Sequence, residues 1–182
     1  MKSILLIIML MISACAFTPH RDAREYPVKI ENTPEPKGIA IKVYTSTPLD
    51  NVVGKIKNGW GMETADISIP QKRTNVLQQA LEAELKLTGY QVKDDSSNAL
   101  LSRINQYEIE IAQEGGAVGY YSICDVNIYL KTKSGLFERN VVATDKVTSY
   151  WAVTAKDGVD SFYKVTQECA KSIVKLVEEK KL

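Results

Sequence analysis

Residues 118–133, Val-Gly-Tyr-Tyr-Ser-Ile-Cys-Asp-Val-Asn-Ile-Tyr-Leu-Lys-Thr-Lys, alternate between apolar and polar side chains over most of their length. This period of two predicts a long β-strand that buries one face and leaves the other nearer to solvent. The predicted buried residues are Cys124, Val126, Ile128 and Leu130, and the opposite face carries Asp125, Asn127 and Tyr129.

The segments on both sides of this strand alternate in the same way, over residues 99–112 and 136–154. Gly115-Gly116 and Ser134-Gly135 separate them, and short glycine turns join antiparallel neighbours. Earlier in the chain, residues 37–45 alternate as a further strand, while residues 46–61 carry a proline and three glycines and are predicted to form a long loop.

Two segments have the three- and four-residue apolar spacing of amphipathic helices, residues 73–88 and about 160–180. Thr74 is the predicted N-cap of the first, and Gly89 fits the left-handed position after its end. The sequence therefore predicts an α+β fold: a mostly antiparallel sheet of about four strands, in the order β-α-β-β-β-α, with both helices on one face.

The first fourteen residues have the properties of an export signal: Lys2 followed by an apolar run over residues 4–12, too short to span a bilayer. Ile12-Ser13-Ala14-Cys15 resembles the bacterial lipobox. That resemblance implies cleavage after Ala14 and acyl chains on Cys15, which would anchor the protein to a membrane. The alternative is an ordinary signal peptide that contains a cysteine by chance.

Downstream of Cys15 the chain divides into two parts. Residues 15–37 hold four of the six prolines and form a predicted Pro-rich tether, and residues 38–182 form a single predicted domain. Loss of residues 1–14 removes Lys2 and no other charge, so the formal net charge falls from +1 to zero. A neutral domain argues against nucleic acid as a partner and leaves the acyl chains as the means of membrane attachment.

Cys124 and Cys169 remain once Cys15 is assigned to lipid, and each lies on a predicted core face. An exported protein encounters an oxidising compartment, so the two are a possible disulfide. Two separate buried thiols are the alternative. Neither cysteine belongs to a Cys/His cluster, so we expect no metal.

The residues that enzymes use for acid–base and nucleophilic chemistry are scarce. The one histidine, His20, lies in the tether, and no nucleophile, phosphate-loop or dinucleotide motif is present. Glu108 and Glu110 share a strand face at a separation known from glycosidases, yet such pairs are ordinary on a solvated sheet. We therefore expect no enzyme activity and no cofactor.

Aromatic and large apolar side chains in loops or beside turns are candidates for contact with a partner protein. Trp60 and Met62 lie near glycines in the predicted loop, and Tyr120 and Tyr121 lie near the glycine turn. The alternative is that these side chains fold back and fill the core.

The lipobox, the tether, a helix that ends in Leu87-Thr88-Gly89-Tyr90, the strand meander and the final helix together resemble the YajG-type family of uncharacterised bacterial lipoproteins. That resemblance implies an outer-membrane anchor with the domain facing the periplasm, and it supplies no catalytic residues. The predicted function is a non-catalytic lipoprotein that binds another cell-envelope component. The alternative is an accessory subunit of an envelope lipid or small-molecule transport system, with an apolar ligand between sheet and helices.

Overall fold

A computed structural model describes residues 37–46, 48–57, 62–114, 117–149 and 153–180. Its elements, in chain order, are β1 (Lys37–Thr45), β2 (Val52–Lys57), β3 (Glu63–Ser68), α1 (Arg73–Leu87), β4 (Tyr90–Val92), β5 (Ala99–Glu114), β6 (Ala117–Thr132), β7 (Gly135–Ser149) and α2 (Ala155–Glu179).

The predicted meander is present in strands β5, β6 and β7. β6 pairs antiparallel with β5 on one side, where Tyr107 lies opposite Cys124, and with β7 on the other, where Ala143 lies opposite Cys124. The alternation along β6 follows its two faces: even-numbered residues from Tyr120 to Leu130 are buried, and odd-numbered ones are half-buried.

The prediction of a mostly antiparallel sheet of about four strands is wrong. The described residues form a mixed seven-stranded sheet, in which β1 lies between β4 and β5 and is parallel to both. β2 is parallel to β5 at one residue pair and antiparallel to β3. The chain passes through α1 between β1 and β4, and a helical crossover of this kind returns a strand in the parallel direction.

The predicted order also omits β2, β3 and β4, although the alternation over residues 66–69 and the start of a strand at residues 90–92 indicate parts of β3 and β4 in the sequence. β2 lies within the segment that is predicted to be a loop. Gly54 is part of the reason for that prediction, but in the structure this glycine lies within β2 and allows a close approach to β5. A Cβ atom at this position would lie 2.7 Å from the carbonyl oxygen of Ile109, so only glycine lets β2 approach β5.

Both helices have the predicted character but different ends. α1 begins after Lys72 with no side-chain cap, so Thr74 is not its N-cap, whereas Gly89 has the expected positive φ of 85°. α2 begins at Ala155, earlier than predicted, because Thr154 and Asp157 form a capping box. Asp157-Gly158, which resembles a turn in the sequence, is part of the first helical turn.

The core lies between the sheet and the two helices. α1 contacts β1 and β4, α2 contacts β6 and β7, and the helices contact each other, so both cover the same face. The rings of Tyr107 on β5 and Phe162 on α2 stack with centroids 4.4 Å apart, and the Tyr107 hydroxyl is hydrogen-bonded to Thr166. The fully buried large side chains are Tyr107, Phe162, Ile39, Ile67, Ile69, Leu77, Leu81, Leu85, Leu100, Ile128, Leu130 and Ile173.

Cys124 on β6 and Cys169 on α2 belong to this core. Both side chains are fully buried, their sulfur atoms are 2.8 Å apart, and the structure holds them as free thiols. Burial raises the pKa of the Cys124 thiol well above its usual value, and the neighbouring Cys169 raises it further. Both cysteines lie in the layer between the sheet and α2, and the disulfide itself stays a prediction.

Replacement of Phe162 by alanine should lower the free energy of unfolding by about 3–5 kcal/mol, because it removes a fully buried ring and leaves a cavity against Tyr107. Urea unfolding followed by circular dichroism measures the change. Phe137→Ala is the matched control, since Phe137 is only half-buried on β7, and its effect should be smaller. Equal losses from the two variants would contradict the central role of Phe162.

Protein taken from an oxidising compartment should contain a bond between Cys124 and Cys169, because the two sulfurs already lie in contact. Denaturing alkylation without reductant should then leave both unmodified, and the intact mass should be lower by two hydrogen atoms. The loop between them would contribute about 3–4 kcal/mol by the chain-entropy estimate. Cys169→Ala is the control and should expose one alkylatable thiol at Cys124. Alkylation of both cysteines in the unreduced wild-type protein would exclude the bond.

Candidate functional site

The sheet has a second face, which no described element covers; we call it the open face. Side chains from four neighbouring strands line it, as the pairing register and the alternation of burial show. They are Ala40, Lys42 and Tyr44 of β1; Leu101, Arg103, Asn105, Gln106, Glu108 and Glu110 of β5; Tyr121, Ile123, Asp125, Asn127, Tyr129 and Lys131 of β6; and Leu136, Glu138, Asn140, Val142, Thr144 and Lys146 of β7.

Apolar side chains on the open face are unusually exposed. Leu101 is 37% exposed, Val142 52% and Leu136 71%. Tyr129, which is half-buried, lies directly opposite Leu101 on the adjacent strand. Leu101 and Tyr129 form a small patch across β5 and β6 that a partner can cover, whereas Leu136 and Val142 lie apart from it on β7, opposite Lys131 and Asp125.

An aromatic and charged group lies at the centre of this patch. Tyr44 is opposite Arg103 in the register of β1 and β5, and Tyr129 is opposite Glu138 in that of β6 and β7. Burial raises the pKa of Tyr129, and its hydrogen bond to Glu138 raises it further, while the charge of Arg103 lowers it. The phenol therefore stays protonated at neutral pH and serves as a hydrogen-bond donor.

Next to this group, amide side chains surround one carboxylate. Asp125 Oδ1 accepts hydrogen bonds from Asn105 Nδ2 at 2.9 Å and from Asn140 Nδ2 at 2.7 Å, and Asn140 also donates to Asn127. A bulge in β5 between Ile104 and Gln106 directs Asn105 to this position. The network ties three strands together at the surface and fixes the shape of the open face.

A groove of about 390 Å³ lies where β2 diverges from β5, with Lys55, Glu63, Glu108 and Glu110 on its walls. Lys55 is paired with Glu63 at 2.7 Å, and this contact raises the pKa of the lysine. Gln106 Nε2 donates to both Glu108 and Glu110 at 3.0 Å. The two carboxylates thus share one amide donor, as expected of residues on a solvated strand face.

The predicted contact residues lie in different places. Tyr120 is only 3% exposed, and its ring packs on Gly158 of α2, so it belongs to the core. Tyr121 is half-buried on the open face between Glu110 and Lys146, and Met62 is 59% exposed just before β3. Trp60 lies outside the described residues, as does Cys15.

The described residues contain no group of three or more histidine, cysteine or acidic side chains arranged to hold a metal ion. None of the helices in this part of the chain is both long and apolar enough to cross a membrane.

No protein-family model matches the chain, and no curated protein matches it at the sequence level. Solved structures do share its fold. A Xanthomonas campestris protein of family DUF330 has a TM-score of 0.58 at 13% identity, over 82% of this chain and 91% of that one. An uncharacterised protein has a TM-score of 0.53 at 17% identity, over 82% and 95%.

A minor lipoprotein of Acinetobacter baumannii has a TM-score of 0.51 at 13% identity, over 80% of this chain and 95% of that one. These identities establish a common fold and not a common function. A YajG-type family is not confirmed by these comparisons. The fold of the chain is therefore one that also occurs in a bacterial lipoprotein.

Proposed function

We propose that the chain is a non-catalytic outer-membrane lipoprotein, anchored through acyl chains on Cys15, whose periplasmic domain binds another cell-envelope protein through the open face. Three observations support this proposal: the lipobox, the fold shared with a bacterial lipoprotein, and the open face itself. The open face is the observation that carries it. The YajG-type assignment is part of the proposal and rests on the element order and on the Thr88-Gly89-Tyr90 corner, where Gly89 ends α1.

The open face has the composition of a protein-contact surface. Tyrosine and arginine are enriched in such surfaces because they combine large apolar area with hydrogen-bonding groups. Tyr44, Arg103 and Tyr129 are grouped here beside Leu101, and charged residues lie around them. The packed helices on the other face hold the strands in place, so the surface is already formed before any partner binds.

The core argues for this proposal over the transport alternative. An accessory subunit that carries an apolar ligand needs an apolar cavity between sheet and helices. In the described residues that space is filled by side chains such as Tyr107, Phe162 and Ile173, each less than 2% exposed. The groove beside β2 is open to solvent, and four charged side chains line it together with Gly54, Ile109 and Ile111, so it is not the enclosed apolar cavity that an acyl chain needs.

The non-catalytic part of the proposal is supported by chemistry that the chain lacks. Its one histidine, His20, lies in the predicted tether, far in sequence from every described strand and helix. Glu108 and Glu110, the carboxylate pair with a spacing known from glycosidases, both accept a hydrogen bond from Gln106. An acid–base pair works through different environments for its two members, whereas these two carboxylates share one amide donor.

Substitution of Cys15 by serine should abolish membrane attachment, because serine has no thiol to receive the diacylglyceryl group. Radiolabelled palmitate should mark the wild-type protein and fail to mark the variant, and the uncleaved precursor should accumulate. Cys124→Ser is the control, since Cys124 is buried in the core and its loss should leave labelling intact. A mature wild-type protein without label would contradict the lipid anchor.

A photoreactive amino acid at Leu101 should crosslink the full chain to one envelope protein in intact cells. The same probe at Lys175, exposed on α2, is the control and should not give that product. Tyr129→Ala in the Leu101 probe chain should reduce the product about tenfold or more, as expected for a central contact residue worth about 2 kcal/mol.

Two results would contradict the use of the open face: the same product from both probe positions, or an undiminished product after Tyr129→Ala. Circular dichroism of each variant confirms that the fold is intact.

A further inference from the structure

The outer edge of β7 is a long, unpaired strand edge. Within the described part of the sheet β7 pairs with β6 alone, over the whole stretch Gly135–Ser149. In an antiparallel ladder, about every second residue of an edge strand directs its N–H and C=O groups away from its neighbour. α2 packs on the helix face of β6 and β7, and no described strand pairs with the outer edge of β7. Such an edge is a template for another strand.

The charges of β7 are arranged symmetrically about its central residue, Val142. On the open face Glu138 and Lys146 lie four residues to either side of it, and on the helix face Arg139 and Asp145 lie three residues to either side. In each pair one residue is acidic and the other basic. The strand itself also extends seven residues in each direction from Val142.

An antiparallel partner strand of the same sequence, with Val142 opposite Val142, would place each of these charges opposite a residue of the other sign. Glu138 would face Lys146 of the second copy, and Arg139 would face its Asp145, each twice by symmetry. Opposite charges in directly opposed positions stabilise an antiparallel pair, and like charges destabilise it. The remaining opposed side chains are compatible in size: Val141 with Ala143, Phe137 with Val147, and Asn140 with Thr144.

No other register achieves this. A slip of one residue moves every side chain to the opposite face, and it would place Glu138 opposite Asp145 or Arg139 opposite Lys146. A slip of two residues keeps the faces but leaves all four charges opposite uncharged residues. The two charge pairs therefore select one register independently of each other, and it is the register that pairs the strand along its full length.

We propose that β7 is the dimerisation edge of this protein and that its partner is a second copy of the same chain, paired antiparallel about Val142. Two copies related in this way form one continuous sheet with all helices on one side, which is the closed two-fold symmetry common among homo-oligomers. The proposal is independent of the proposed function, because it uses the strand edge and not the open face.

The existing contacts of Asp145 are compatible with this arrangement. Its Oδ1 is paired with Lys164 of α2, and its Oδ2 accepts a hydrogen bond from Ser161 at 2.8 Å. A carboxylate has about four acceptor positions, so the two present donors leave acceptor capacity for Arg139 of the second copy, which would approach through the 12% of the Asp145 side chain that is exposed. Asp145 is thereby held in a defined position before the second copy binds.

Cysteine crosslinking of the full chain in membranes tests the register. In the dimer the two Val142 Cα atoms lie about 4.5–5.5 Å apart, within the range of a disulfide. Val142→Cys should therefore give a product of twice the monomer mass on a non-reducing gel after mild oxidation. Thr144→Cys is the matched control on the same face of the same strand, and its two copies would lie about 13 Å apart and should not crosslink. Co-expression of Thr144→Cys with Asn140→Cys should restore the product.

Charge reversal at the outer pair gives a second, independent test of the same chain. With Val142→Cys as the reporter, Glu138→Lys and Lys146→Glu should each reduce the crosslinked product, because each places like charges opposite each other twice. The double variant Glu138→Lys/Lys146→Glu should recover the product, and so should co-expression of the two single variants. Lys131→Glu, on the open face of β6 and away from the edge, should have no effect.

Several outcomes would overturn the proposal. These are a Val142→Cys chain that stays monomeric, equal crosslinking from Thr144→Cys, and single charge reversals that leave the product unchanged.

Discussion

The packing of α2 against the meander is the interaction on which the rest of the structure depends. The stack of Phe162 on Tyr107 joins the middle of α2 to β5, and the contact of Cys169 with Cys124 joins it to β6. Since α2 occupies the helix side of β6 and β7, α1 packs beside it over β1 and β4. Both helices therefore pack on the same face of the sheet. The opposite face, which we call the open face, is left without a covering helix from the described part of the chain.

Elements with a long, regular pattern could be predicted from the sequence. β5, β6, β7 and the apolar stripes of both helices repeat over many residues, and each repeat buries a whole face. The mixed sheet could not be predicted in the same way, because the placement of β1 between β4 and β5 is decided by pairing between distant segments. β2 was missed because Gly54 suggests a turn locally, although the reason for this glycine lies across the sheet at Ile109.

The residues of the candidate site also differ in whether the sequence could predict their positions. Tyr120 and Tyr121 were both predicted as contact residues from their position near a glycine turn. The alternation of β6 separates them, since Tyr120 has the parity of Cys124 and Tyr121 that of Asp125. That signal was in the sequence and decides which of the two tyrosines reaches the open face. The exposure of Leu101 and Val142 could not be predicted from the sequence, because it depends on the second face of the sheet remaining uncovered.

Charged residues on an edge strand ordinarily protect a protein from indiscriminate pairing with other strands. In β7 they do this as well, since most foreign strands, and the registers of β7 itself that are shifted by one or two residues, leave the charges unmatched or opposed. Their symmetric placement about Val142 makes the same four residues favourable in one arrangement. Protection from aggregation and selection of a partner are therefore not alternatives here. Both follow from the positions of Glu138, Arg139, Asp145 and Lys146, and an edge protected only by lysines would have provided the first without the second.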